Sequence, residues 1–315
     1  MLLQVGLFVV GLVILTAGGE FLVRGSSKLA EAMGISPFII GATIVAYGTS
    51  APELMVSAIA SWQGAASIAL GNVVGSNLFN TGLILGIAAL ISPLYIQRDM
   101  IKIEMPFNMG FNILITGLSF LAVIARWHGA VLLILFAGYI FLAIRKEMTD
   151  RKTRKEERNP DEPKMSAGQI VLNVVFILLG LVGLFGGAKL MVDAAIIIAR
   201  EFGISERVIG LTIVALGTSL PELATAVVAA LKKHSELVLG NLLGSNIFNL
   251  GLILGTASII RPIPLQGQTS LIDFGFLLVN GIMLMIFLRT GEKIARWEGG
   301  ILLAFYGLFF ATLFI

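Results

Sequence analysis

Apolar blocks separated by charge, Pro or Gly divide the chain into about ten stretches, near 3–31, 37–60, 68–91, 105–125, 128–144, 167–200, 207–231, 237–260, 271–289 and 297–314. Each approaches the ~20 residues that a helix needs to cross the hydrocarbon core of a bilayer. The first and sixth are long enough to tilt strongly. The one long hydrophilic segment, RKEMTDRKTRKEERNPDEPK (145–164), falls between the fifth and sixth. This pattern predicts an all-α membrane protein with five spans in 1–144, a charged linker at 145–165 and five more spans in 166–315.

The two halves repeat one another. Residues 40–54 (IGATIVAYGTSAPEL) and 209–223 (IGLTIVALGTSLPEL) agree at 12 of 15 positions, 169 residues apart. At the same offset GNVVGSNLFNTGLILG (71–86) and GNLLGSNIFNLGLILG (240–255) agree at 12 of 16. Gly34-Ile35-Ser36 aligns with Gly203-Ile204-Ser205, and Pro93 with Pro262; with a one-residue slip, Arg126-Trp127 aligns with Arg296-Trp297. Five spans per copy is an odd number, so the second copy enters the membrane upside down, as inverted repeats do.

Composition narrows the class. With 57% hydrophobic residues, 13% charged and a mean hydropathy of +0.95, the chain cannot hide its apolar surface as a water-soluble protein. The net charge of +3 does not indicate nucleic acid, because 8 of the 22 basic residues lie between Arg145 and Lys164 among six acids, which reads as a solvated loop. The absence of cysteine excludes disulfides and thiolate metal sites. The first residues lack a basic leader region and a cleavage site, so they read as a retained first span. With the linker cytoplasmic, 17 Lys and Arg fall inside and four (Arg126, Arg200, Arg207, Arg261) outside, with Lys189 within a span. That bias predicts a multi-pass protein with both termini extracellular, and the compact linker suggests a plasma membrane.

The polar residues inside these apolar stretches carry the chemistry. On a helix Thr49, Ser50 and Glu53 share one face. Pro52 cannot donate to the carbonyl of Gly48 and crowds that turn, so the second span, and by repetition the seventh, is expected to break. Carbonyls around Ala46–Gly48 and Ala215–Gly217 are then expected to face a cavity. Thr218, Ser219, Pro221 and Glu222 repeat the arrangement. Ser76 with Asn80, and Ser245 with Asn249, add oxygen at i,i+4. Two carboxylates, hydroxyls, amide oxygens and carbonyls, with no His, Cys or Met, suit hard cations rather than zinc, copper or iron. Two carboxylates neutralise one divalent ion, and a flexible, mostly neutral remainder favours Ca²⁺ over Mg²⁺. Monovalent cations could meet the same charge, and such competition is the physical basis of antiport.

Other polar residues read as structural. Glu20 with Arg24, and Lys189 with Asp193, are expected to be internal i,i+4 ion pairs. Asn108, Asn112, Asn173 and Asn280 are expected to bridge helices. Trp62, Trp127 and Trp297 suit the aromatic belt, while His128 and His234 are expected on solvated loops. The paired glycines 71/75, 82/86, 240/244 and 251/255 are expected to let the third and eighth spans approach the broken helices.

The duplicated segments resemble the alpha-repeats of the sodium/calcium exchanger branch of the calcium/cation antiporter superfamily, and the short linker resembles its small prokaryotic members. The resemblance implies ten helices in two inverted five-helix repeats, with ions held at midplane between the second, third, seventh and eighth. It implies Na⁺/Ca²⁺ antiport by alternating access, the first and sixth helices sliding as a pair, and no cofactor beyond the transported Ca²⁺ and Na⁺. Carried over by motif, the ligands are Ala46 (carbonyl), Thr49, Ser50, Glu53, Ser76 and Asn80, with Ala215 (carbonyl), Thr218, Ser219, Glu222, Ser245 and Asn249. Several relatives carry Asp where this chain has Asn249, which argues against K⁺ co-transport. The expected partners are the two ions and the lipid bilayer, with the chain acting as a monomer. The alternative is Ca²⁺/H⁺ exchange, with Glu53 and Glu222 titrating in a dry site. An intramembrane enzyme would need phosphate-binding Arg, an HExxH pair or a second catalytic Asp, none of which is visible. A passive channel fits a two-carboxylate closure less well.

Overall fold

The computed structural model describes residues 2–95, 98–157, 166–202, 215–265 and 271–312. It is built of helices: α1 (Leu2–Met33), α2 (Pro37–Thr49), α3 (Ala51–Trp62), α4 (66–91), α5 (Glu104–Leu118), α6 (Arg126–Glu157), α7 (Ala167–Glu201), α8 (Ala215–Gly217), α9 (Leu220–Leu231), α10 (Ser235–Ile260), α11 (Leu271–Gly291) and α12 (Arg296–Thr312). Among the described residues six helices are long and apolar enough to cross a membrane, or seven when the bent pair α2–α3 counts as one. The expected Gly203-Ile204-Ser205 match, Arg207 and the first part of the seventh stretch lie outside the described residues.

Two expected boundaries move. The fourth stretch is helical only to Leu118, because the chain then turns into β2 (Val123–Ile124), which pairs with β3 (Ile263–Pro264). At the other end of the molecule β1 (Leu94–Tyr95) pairs with β4 (Lys293–Ile294). The helix of the fifth stretch continues through Arg145–Glu157 into the expected linker. It is tied there, since the Lys146 ammonium donates to the Asp99 carbonyl and Glu147 Oε1 accepts the Ser36 N–H at 3.0 Å.

Contacts between the halves recur with the halves exchanged. Arg126 Nε donates to the Ile259 carbonyl at the C-terminal end of α10, and Arg296 donates to the Ile91 carbonyl at the end of α4. Each cation thus sits at the negative end of the other half's helix. A Cβ on Gly86 would meet the Gly299 carbonyl at 2.9 Å, and one on Gly255 the Gly129 carbonyl at 3.1 Å. These glycines pack on the last helix of the opposite half, and among the described residues only 240/244 lie against a broken helix, at Phe38 and Ala42 of α2. For Gly71 and Gly75 nothing among the described residues comes within 4 Å of an added Cβ.

Outside this core, α1 and α7 run antiparallel with backbones in contact. Gly11 faces Gly187 and Met191, Gly18 faces Gly180 and Leu184, and Gly25 faces Asn173 and Ile177. Small residues at such spacing replace side-chain bulk by close van der Waals approach, the attraction available between helices in lipid. The charges on this pair differ from expectation. Glu20 pairs with Lys232, and Arg24 lies over the Phe176 ring at 5.4 Å. Lys189 and Asp193 do pair at 3.2 Å, but on an exposed face rather than inside. Asn112 donates to Asn108 within α5, so that pair does not bridge helices. His128 is buried, its Nδ1 accepting the Ala125 N–H at 2.9 Å, so it caps the start of α6 instead of lying in solvent. Trp62, Trp127 and Trp297 are exposed at helix ends.

Candidate ion-binding site

The site forms where the chain bends. Ser50, with ψ near 6°, separates α2 from α3, and the axes turn by 45°. Pro52 follows at the second position of α3, where its missing N–H costs no helical bond. The break therefore falls at Ser50 rather than at Gly48. The Ala46 carbonyl remains in the ladder, accepting from Ser50 N at 2.9 Å, so it reaches an ion only through its second lone pair. Ser219 and Pro221 repeat the junction ahead of α9. In both, the glutamate sits in the first turn of the new helix, where the helix dipole favours negative charge.

The third and eighth spans are also irregular. α4 widens into a π-helical turn at Phe79–Ile84, and α10 does the same at Phe248–Ile253. The N–H of Leu85 bonds to the Asn80 carbonyl five residues back, and Leu254 to that of Asn249. Such insertions displace side chains from regular helical register and gather at functional sites. Asn80 and Asn249 occupy the same position in the two turns.

These elements bring six of the twelve expected ligands into contact: Thr49, Ser50, Glu53, Ser76, Ser219 and Glu222. Ser50 Oγ donates to Glu222 Oε1 at 2.9 Å, and Ser219 Oγ to Glu53 Oε1 at 3.1 Å, so each half's serine serves the other half's carboxylate. Ser219 Oγ lies 3.3 Å from Ser76 Oγ. Thr49 bonds back to the Val45 carbonyl at 3.1 Å and also approaches Asn241 Oδ1 and Glu222. Thr218 is half-buried beside Ser219, and Ala215 opens the described part of the seventh stretch.

What is left unpaired defines the chemistry. Glu53 Oε2, Glu222 Oε2, Asn80 Oδ1, Asn249 Oδ1 and Ser245 Oγ are buried without a hydrogen-bond partner. Both glutamates and both asparagines are 1% exposed. Burying an uncompensated carboxylate costs several kcal/mol. Five such oxygens, two of them on carboxyl groups and none paired with a cationic side chain among the described residues, form a donor set of the kind a hard cation takes. Sequence reasoning passed over the amides that hold this set. Asn246 Oδ1 accepts from Asn80 at 3.3 Å, Asn246 Nδ2 donates to Thr81 at 2.7 Å, and Asn72 ties α4 to Ser57 and to the Glu53 carbonyl. The signal was present, since Asn72/Asn241 and Asn77/Asn246 lie inside the duplicated motif.

Fold and site together define a polytopic membrane protein with a buried, oxygen-lined candidate site between its two halves. Comparison with known proteins gives the family: the sequence profile described as sodium/calcium exchanger protein matches residues 3–145 and 172–315. The chain is 37% identical to an uncharacterized membrane protein of Methanocaldococcus jannaschii, covering 99% of each. It is 36% identical to the sodium/calcium exchanger MaX1 of Methanosarcina acetivorans, covering 98% of this chain and 97% of that one. Among solved structures it superposes on the sodium-calcium exchanger NCX_Mj with a TM-score of 0.86 and 35% identity, covering 98% of both. The chain belongs to the sodium/calcium exchanger family.

Proposed function

We propose that this protein is a secondary antiporter that exchanges Na⁺ for Ca²⁺ across the plasma membrane, acting as a monomer through alternating access to one enclosed site. The observation that carries this reading is the crossed pair Ser50–Glu222 and Ser219–Glu53, with the second oxygen of each carboxylate unpartnered and buried. A Ca²⁺ ion neutralises both carboxylates at once, and Na⁺ ions compete for the same charge. The ligands are those carried by the motif: Ala46, Thr49, Ser50, Glu53, Ser76 and Asn80, with Ala215, Thr218, Ser219, Glu222, Ser245 and Asn249. Moving the site empty would carry two unpaired carboxylates through a dry closed state, at several kcal/mol each. Loaded states avoid that cost, so transport is coupled as exchange.

The architecture in this reading is ten spans in two inverted repeats, 1–144 and 166–315, joined by a cytoplasmic linker, with both termini outside. The strand pairs support it, since β1–β4 and β2–β3 join loops that this topology puts on the same side of the membrane. Access alternates as α1 and α7 slide together past the core. Their mutual contacts are backbone on backbone, whereas α7 meets Gly48 and Gly217 through the ends of Leu181 and Val192.

The test is ⁴⁵Ca²⁺ uptake into proteoliposomes loaded with Na⁺, K⁺ or choline, with a pH gradient as a separate arm. Uptake that requires internal Na⁺ and is lost in Glu53→Gln is the expected result. Uptake driven by the pH gradient alone replaces this reading with Ca²⁺/H⁺ exchange.

A further inference from the structure

We infer that Asn246 and Thr81 are positioning residues that fix which end of the Asn80 amide faces the ion, so that the two halves of the site are prepared unequally. The inference rests on the proposed exchange. The two ends of an asparagine amide have nearly the same shape but opposite chemistry, and neighbours decide which end points where. Asn80 gives its NH₂ to Asn246 Oδ1 at 3.3 Å, leaving Asn80 Oδ1 buried and without a protein partner. In the same sense, Asn246 gives its own NH₂ to Thr81 Oγ1 at 2.7 Å. The chain Thr81–Asn246–Asn80 crosses between the halves and ends on a bare carbonyl oxygen, the end a cation needs.

The other half lacks this chain for a reason written in the sequence. At the motif offset, Asn77 corresponds to Asn246 and Asn249 to Asn80, but Leu250 stands where Thr81 would be. Leucine accepts nothing, so the Asn77 NH₂ turns to the Val73 carbonyl of its own helix at 2.7 Å. Asn77 Oδ1 has no partner and receives nothing from Asn249. The amide of Asn80 is therefore preset for an ion, whereas Asn249 is oriented by the ion itself.

The experiment is the Ca²⁺ KM and Vmax of Na⁺-driven ⁴⁵Ca²⁺ uptake by the full chain in proteoliposomes, paired with equilibrium ⁴⁵Ca²⁺ binding to the purified protein. Thr81→Val and Asn246→Leu should each raise KM and Kd roughly tenfold with little change in Vmax, the size of one buried hydrogen bond. The double variant should be no worse than either single, because both remove the same chain. Thr81→Ser should behave as wild type, and Asn77→Leu should leave KM unchanged. If Asn246→Leu does not fold, the Thr81 series decides alone. Unchanged KM in Thr81→Val, a Thr81→Ser as harmful as Thr81→Val, or an Asn77→Leu as harmful as Asn246→Leu overturns the inference while exchange itself stands. If the wild type shows no Na⁺-driven uptake, exchange fails, and the Kd series still decides the positioning. A wild type that neither carries nor binds Ca²⁺ overturns both.

Discussion

Each glutamate of the candidate site has one oxygen held by a serine from the opposite half and one without a partner. Hydrogen bonds to a charged group contribute about 1.5–3 kcal/mol. Ser50→Ala should therefore weaken Ca²⁺ binding by roughly ten- to a hundredfold, with Ser219→Ala comparable because its bond to Glu53 is of the same kind. The Ca²⁺ KM of proteoliposome uptake measures both, and a large effect in one variant with none in the other would contradict the crossed arrangement. Asn249→Asp tests the opposite change. A third carboxylate in the proposed ligand set should slow or retune exchange and introduce a pH dependence, read from uptake across a pH series. The chemistry at this scale was legible because a glutamate within apolar sequence has few structural uses. The supporting amides were not, because the partners of Asn246, Thr81 and Asn80, lie in the other half of the chain.

Helix irregularity turns those side chains into a site. The bend at Ser50 follows from Pro52, so it could be read in advance, although local bonding moved it two residues past Gly48. The π-helical turns at Phe79–Ile84 and Phe248–Ile253 could not be, since they arise from packing and carry no residue as diagnostic as proline. Glycine plays a different part in α1 and α7, where it permits backbone contact. A Cβ on Gly18 would lie 2.6 Å from Leu184 N, and backbone cannot yield as a flexible side chain can. Gly18→Leu should cost about 1–3 kcal/mol by overpacking, lowering the melting temperature in detergent and abolishing exchange. Gly186→Leu is the control on α7, where an added Cβ meets nothing within 4 Å. Equal melting temperatures for the two variants would mean that α1 and α7 are not held by this contact.

Across the whole molecule the halves are interlocked rather than side by side. The strand pairs, the arginines on opposite helix ends and the Gly86 and Gly255 contacts all join one half to the other. The 169-residue offset made the duplication visible in the sequence, but not this exchange of contacts, which is long-range in both halves. A core tied in this way does not readily open by separating its halves, so alternating access falls to the elements outside it. If α1 and α7 move as a unit, joining them to each other should be harmless and joining either to the core should not. The chain has no cysteine of its own, so introduced pairs can be cross-linked without background. Phe21→Cys with Phe176→Cys replaces rings stacked 5.6 Å apart between α1 and α7, and exchange should survive its oxidation or bridging. Gly19→Cys with Val228→Cys joins α1 to α9, where a Cβ on Gly19 would lie 3.3 Å from the Val228 side chain. Cross-linking this second pair should arrest ⁴⁵Ca²⁺ uptake, and reduction should restore it. Uptake that persists through the α1–α9 link would place the moving parts within the core and remove the sliding pair from the mechanism.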